Sequence, residues 1–149
     1  MSTTIRPCRP GDETEWLRLR FALWGDEPGD EISLREELDE IIAAADQDAI
    51  FALTDEGHYC GFAEVAIRNW ADGCTGRNVG YLEGWYVEKS YRRRGIGRQL
   101  VAAAEDWSRQ RGASEMGSDC EIENEISHSA HIAMGFIEAN RCINFGKKL

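Results

Sequence analysis

Tyr81-Leu82-Glu83-Gly84-Trp85-Tyr86-Val87-Glu88-Lys89-Ser90-Tyr91-Arg92-Arg93-Arg94-Gly95-Ile96-Gly97-Arg98-Gln99-Leu100-Val101 decides how the rest of the chain is read. An apolar, strand-like run leads into a short basic turn with two glycines, and a helix opens directly after it. The first N–H groups of a helix have no intrahelical acceptor, and the helix dipole favours negative charge at that end. Gly95 and Gly97 let the backbone approach a bulky ligand without a Cβ in the way. Arg92, Arg93, Arg94 and Arg98 add fixed donors suited to phosphate. The stretch therefore predicts a pyrophosphate cradle. It lacks the Lys-Ser/Thr of a P-loop and the third glycine of a dinucleotide fingerprint.

The basic hexapeptide Arg92-Arg93-Arg94-Gly95-Ile96-Gly97 resembles motif A of the Gcn5-related N-acetyltransferases, Gln/Arg-x-x-Gly-x-Gly/Ala. The resemblance implies acetyl-CoA as cosubstrate, with Trp85, Tyr86 and Val87 and the turn Arg92–Arg98 holding it. It also implies the family's fold, an α/β (α+β) architecture with a mixed central sheet flanked by helices on both faces. Asn124 stands where the family's pantetheine-binding asparagine does. His131-Ile132-Ala133-Met134-Gly135-Phe136 stands in place of a Tyr-x-x-x-Gly-Phe helix ending. Where many members carry a tyrosine acid, this chain carries His131. Imidazole can protonate a leaving thiolate near neutral pH, and an ordinary packed histidine is the competing reading.

The chain's 149 residues, 42% of them hydrophobic, suit one domain spanning 1–149. No run of apolar residues is long enough to cross a bilayer and no leader is recognisable, so a cytoplasmic protein is expected. Five scattered cysteines without a C-x-x-C pair read as reduced thiols rather than disulfides or zinc ligands. A net charge of −10 opposes nucleic acid or an anionic membrane as partner. It suits an anionic cosubstrate at one local basic site and a cationic second substrate, although solubility alone accounts for the charge equally well.

Taken in order, Thr3–Cys8 predicts a first strand. Asp12 with Glu15 predicts a capping box for a helix through Trp24 whose apolar face holds Trp16, Leu17 and Phe21. From Asp26 to Asp48 ten acidic residues face one base, Arg35. Ser33 with Glu36 predicts a capping box there, with Leu34, Leu38, Ile41 and Ile42 as an apolar stripe. This segment is either a solvated face or an acidic wall beside a polycation site, and no local spacing decides. Ala49–Thr54 and Tyr59–Arg68 predict a hairpin, and Val79–Glu88 the central strand. A helix follows from Gly95 to Arg111, then a strand Ser114–Cys120, a helix Ile126–Met134 and two short strands between Phe136 and Lys148.

Acyl transfer to an amine needs a group that takes the amine's proton, because only about one lysine-like amine in a thousand is neutral at pH 7. Glu83 and Asp119 lie on the two central strands, where a charge is costly unless paired or facing a wet cleft. Asp119 is the first choice of base, with Glu83 binding or assisting. A bulge near Trp85–Val87 would splay the strands and free a backbone N–H for the thioester carbonyl.

The segments Leu23-Trp24, Leu82-Glu83-Gly84, Ser118-Asp119, Glu123-Asn124 and His131…Gly135-Phe136 resemble a narrower group, the aminoglycoside 6′-N-acetyltransferases. That resemblance implies a pocket of Trp24, Glu83 and Asp119, with Trp70 as a loop aromatic. Asn140 stands where some relatives carry an acid, a loss that Glu27 is placed to offset. It further implies a homodimer, a direct attack in a ternary complex, antibiotic resistance and no metal. Acetylation of a protein N-terminus or a small polyamine, or a non-catalytic acyl-CoA sensor, are the alternatives.

Overall fold

The computed structural model describes residues 2–149. Five strands form one sheet in the order β1-β2-β3-β4-β5: Thr3–Pro7, Gln47–Thr54, Tyr59–Arg68, Val79–Val87 and Met116–Ser118. The first four pair antiparallel, and β5 joins β4 in parallel. Helix α1 (Glu13–Trp24) and helix α2 (Asp30–Ala43) connect β1 to β2; α3 (Ile96–Gln110) connects β4 to β5; α4 (Glu125–Ala133) follows β5.

Period-2 alternation sends successive residues to opposite faces of the sheet. On one face Ile50, Ala52, Ala63, Val65 and Leu82 meet Ile96, Leu100, Val101, Ala104 and Trp107 of α3. On the other, Ala49, Phe51 and Phe62 meet Trp16 and Leu19 of α1 and Leu38 of α2. Helices thus cover both faces of a mixed sheet, as expected.

Three local expectations differ from the structure. Asp12 is not a side-chain cap of α1. Its carboxylate instead accepts from Arg6 at 2.8 and 2.9 Å, from Tyr59 Oη at 2.6 Å and from the Arg9 amide at 2.7 Å. Helix α2 starts before the anticipated Ser33 cap, because Gly29 turns the chain at φ +104° and the Asp30 carboxylate ties down the Asp26 and Glu27 amides at 2.8 and 2.9 Å. The two strands anticipated between Phe136 and Lys148 do not form. A strand exists only by pairing, and in the single chain this tail pairs with no strand of the sheet.

All five cysteines are free thiols, and Cys60 is buried. No described helix is long and apolar enough to cross a membrane.

Candidate active site

The site begins where β4 and β5 part. Their ladder runs Gly80–Met116, Tyr81–Gly117 and Leu82–Ser118 and then stops, while β4 continues to Val87. On its other side β4 carries one extra residue: Glu64 pairs with Gly84 and Val65 with Leu82, leaving Glu83 unmatched. The bulge is therefore at Glu83, earlier than the Trp85–Val87 position anticipated, and it bends the strand at the mouth of the splay.

The turn after β4 has the geometry of an anion cradle. Gly95 sits in the left-handed region at φ +79° as the residue before α3, and a Cβ there would meet nothing within 4 Å. Arg93 also adopts positive φ, 62°. The first helical hydrogen bond to the Gly95 carbonyl comes from Gln99, so the amides of Ile96, Gly97 and Arg98 precede the ladder. Arg93, Arg94 and Arg98 are exposed. Arg92 has a different job: its Nε donates to the Val87 carbonyl at 2.7 Å and its guanidinium lies 5.5 Å from the Tyr86 ring, fastening the turn to the strand end. Trp85 packs 4.7 Å from the His131 ring, and Val87 joins the core beneath α3. Asn124 caps α4, accepting from the Ser127 amide at 3.0 Å, so its amide nitrogen is the part that remains for a pantetheine carbonyl.

Across the splay, Ser118 on β5 meets α4. His131 Nδ1 donates to the Ser127 carbonyl at 2.7 Å, because a carbonyl can only accept. His131 Nε2 lies 2.8 Å from Ser118 Oγ, which is also 2.8 Å from the Leu82 carbonyl. One hydroxyl proton serves either the carbonyl or the ring, linking the end of the β4–β5 ladder to the histidine. His128 on the same helix faces Glu138 at 3.6 Å instead.

The carboxylates sit on both lips. Asp119 is not on a central strand as anticipated: β5 is a short edge strand ending at Ser118, and Asp119 follows it, exposed, accepting a hydrogen bond from the Tyr81 hydroxyl. Burial first, and then that bond, pushes the Tyr81 phenol above its usual range and keeps it a donor. Burial raises Glu83 above the usual carboxylate range, against the pull of Arg68, and the charge on Asp119 adds to the rise. Arg68 donates to both Glu83 oxygens, at 2.9 and 2.7 Å, and lies 3.5 Å from the Tyr81 ring centre.

Beside Glu83 opens a cavity of about 800 Å³ whose lining includes Trp24, Asp30, Glu37, Glu40, Asp46 and Glu83. The ambiguous acidic segment thus contributes a wall to it. Glu64 forms part of the lining, held by Arg20 Nε and Trp16 Nε1, each at 2.7 Å. Burial pushes Glu64 up against those donors. Trp24 is 40% exposed, edge-on to Phe62 at 5.9 Å and 4.9 Å from the Arg20 guanidinium. Its indole lies directly over Gly84, where a Cβ would come within 2.5 Å of Trp24 Cζ2.

Not every anticipated residue joins this cavity. Glu27 is exposed in the α1–α2 loop outside its lining, and Trp70 is 65% exposed in the β3–β4 loop, likewise outside it. Asn140 lies on the tail and lines a second, larger space of about 1600 Å³ together with Ser118, Asp119 and His131. Sequence reasoning did not single out Asp30, Glu37, Glu40, Asp46, Arg20, Glu64, Arg68 or Tyr81. The acidic run was the only local signal for any of them.

Residues 12–136 match the model of the acetyltransferase (GNAT) family. The chain belongs to this family. An aminoglycoside N(6′)-acetyltransferase type 1 of Klebsiella aerogenes is 40% identical over 99% of this chain and 98% of its own length. One of Acinetobacter baumannii is 34% identical over 97% of this chain and 98% of its own. Among solved structures, AAC(6′)-Iy in complex with the bisubstrate analogue CoA-S-monomethyl-acetylneamine superposes with a TM-score of 0.91 at 35% identity, covering both chains fully. The antibiotic 6′-N-acetyltransferase AAC(6′)-Ih from Acinetobacter baumannii gives 0.90 at 34% identity over 99% of each chain. A GNAT-family chain with this cradle and splay has the features an acyl-CoA thioester requires: an anion site at a helix N-terminus, glycines for close approach, and a cleft between strands.

Proposed function

We propose that this protein is an acetyl-CoA-dependent aminoglycoside 6′-N-acetyltransferase, a single catalytic domain conferring antibiotic resistance. The observation that carries the proposal is the pair of carboxylates at the β4–β5 splay, Glu83 lining an acidic cavity walled by Trp24 and Asp119 lining the larger space beside His131. The activities named for relatives matched over nearly their whole length support the same substrate class.

In this reading the amides of Ile96, Gly97 and Arg98, together with Arg93, Arg94 and Arg98, hold the pyrophosphate, and Asn124 contacts the pantetheine arm. The β4 backbone beyond the bulge polarises the thioester carbonyl. The acidic wall binds the polycation and Trp24 stacks on a sugar ring. Asp119 and Glu83 bracket the attacking amine and accept its proton directly or through water. Burial raises Glu83 above the usual carboxylate range and so favours its taking up a proton, while the Tyr81 hydroxyl fixes the direction of Asp119. His131, when protonated from solvent, is the acid that gives the departing thiolate its proton, and Ser118 Oγ and the Ser127 carbonyl orient the ring. The proton taken from the amine leaves the carboxylates to solvent. No covalent enzyme intermediate forms, so none of the cysteines is a nucleophile.

The protein works as a cytoplasmic homodimer. Strand β5 is the sheet edge, and beyond α4 the tail carries Ile137, Ile143 and Phe145 at 90%, 75% and 93% exposure. Apolar side chains so arranged support pairing of the tail with a second copy. Sedimentation should give a dimer, and deletion of residues 137–149 a monomer.

The deciding experiment mixes purified protein, acetyl-CoA and kanamycin and follows thiol release, with product analysis locating the acetyl group. Acetylation of the 6′-amine is expected. Stabilisation by coenzyme A without turnover on any amine would identify a sensor instead, and turnover on peptides alone an N-terminal acetyltransferase.

A further inference from the structure

Resting on the functional reading above, the geometry points to Arg68 as a specificity-determining residue: a built-in cation that occupies the substrate ammonium's seat on Glu83 until a polycation displaces it. Arg68 ends β3 and reaches across to the bulge, where its Nη2 lies 2.9 Å from Glu83 Oε1 and 2.7 Å from Oε2, with Nε 3.1 Å from Oε1. The same guanidinium lies 3.5 Å from the Tyr81 ring centre, and the Tyr81 hydroxyl donates to Asp119. One positive group therefore sits on one carboxylate, over an aromatic face, and one residue away from the other carboxylate. A protonated amino sugar seeks the same three features.

The other arginine lining the cavity, Arg20, is fixed in place. Arg20 is buried and held by Glu64, the Leu34 carbonyl at 2.7 Å and Glu37 at 3.1 Å. Arg68, by contrast, has a side chain 43% exposed, and Glu83 28%. Water reaches both partners, so opening this pair costs less than breaking a fully buried one. The exchange also explains why a carboxylate half-buried at a bulge is tolerated in the empty site. A ligand gains the Glu83 contact only by supplying a positive charge of its own. Neutral sugars of the same shape leave Arg68 in place and are rejected.

The test uses protein saturated with coenzyme A, so that no turnover occurs, and titrates kanamycin by calorimetry against wild type, Arg68→Gln, Glu83→Gln and the double variant. Arg68→Gln should bind about fivefold more tightly, the scale of an exposed ion pair released from competition. Glu83→Gln should bind more weakly, and in the double variant the gain from Arg68→Gln should vanish. Thermal melts check that each variant is folded. If Arg68→Gln fails to fold, Arg68→Lys replaces it. Its single-point ammonium pairs less well with Glu83, so its affinity should still exceed that of wild type. Binding that Arg68→Gln, or its Lys replacement, leaves unchanged or weakens, while Glu83→Gln still matters, would overturn the inference alone. Absence of kanamycin binding to every protein would overturn the functional reading and the inference with it.

Discussion

Gly84→Ala isolates the contact between the sheet and the aromatic wall. The added Cβ would lie 2.5 Å from Trp24 Cζ2, 3.0 Å from Cη2 and 3.3 Å from Leu23 Cδ2. Carbon atoms pack at about 3.5–4.0 Å, so the indole must recede by about 1 Å. It has one direction to go. Phe62 blocks one side, and Arg20, fixed by Glu64 and the Leu34 carbonyl, blocks another, which leaves the exposed face over the cavity. Losing the edge-on ring contact and the cation–π contact costs about 1–2 kcal/mol together. For a chain of this length that lowers Tm by a few degrees, about 2–4 °C per kcal/mol.

The functional effect should be larger than the stability effect, because a wall shifted by about 1 Å misplaces the attacking amine. We expect kcat/KM for kanamycin, read by thiol release, to fall by about tenfold to a hundredfold. Coenzyme A affinity should be unchanged, since Gly84 lies outside the cradle. Trp24→Ala supplies the control: once the indole is gone the added methyl has room, so Gly84→Ala in that background should cost nothing further. Wild-type kinetics and Tm in Gly84→Ala, or simple additivity in the double variant, would refute the reasoning.

Asp119→Asn should cut turnover well over tenfold with coenzyme A binding intact, because the amide oxygen still accepts from Tyr81 while proton-accepting power is lost; near-normal kcat would remove Asp119 from the mechanism. Asp12 has a pKa lowered to about 2: burial works against the charge, but the hydrogen bonds from Arg6, Tyr59 and the Arg9 amide outweigh it. A folded pKa below the unfolded one gives stability that is present above about pH 4 and lost as pH falls towards 2, here about 2 kcal/mol. Urea midpoints should fall across that window in wild type and flatten in Asp12→Asn. Gly95→Ala meets no neighbour within 4 Å but forces an alanine to φ +79°, at a cost of about 1 kcal/mol. It should weaken coenzyme A severalfold in calorimetry, and Gly95→Asn, which tolerates that conformation, should weaken it less.

The cradle was legible because its chemistry is local. The glycine spacing, the basic turn and the amphipathic α3 all fall within one short stretch, so pattern and fold agree. The acidic wall was not. Glu37 and Glu40 reach the cavity of Glu83 only because burial of Leu34 and Leu38 seats α2 against the body of the fold, and Asp46 follows in the turn between α2 and β2. That orientation is a tertiary fact, and the same charges read identically on a solvated helix. Arg68 is similar: its partner is on the neighbouring strand, 15 residues away in sequence, and register alone brings them together. The tail failed for the opposite reason. Its residues alternate well enough to suggest strands, but pairing partners, not alternation, make a strand.

The bulge carries the argument furthest. Leu82 and Trp85 both pack on the α3 face although only two residues, Glu83 and Gly84, lie between them, a change of parity that the bulge imposes. Without it, Glu83 would still leave the α3 core, but Trp85 would turn away from His131 and Gly84 would turn away from Trp24. Leaving Glu83 out of the alternation therefore gives the cosubstrate side its tryptophan and the substrate side its glycine at the same point in the chain. It also falls at the mouth of the β4–β5 splay, where the thioester and the amine have to meet. Deleting Glu83 should consequently leave the rest of β4 on its present faces, because Leu82 stays opposite Val65 and Gly84 opposite Glu64 in one regular ladder. What is lost is the carboxylate and the bend at the mouth of the splay, so turnover should fall at least as far as in Glu83→Gln while the fold survives.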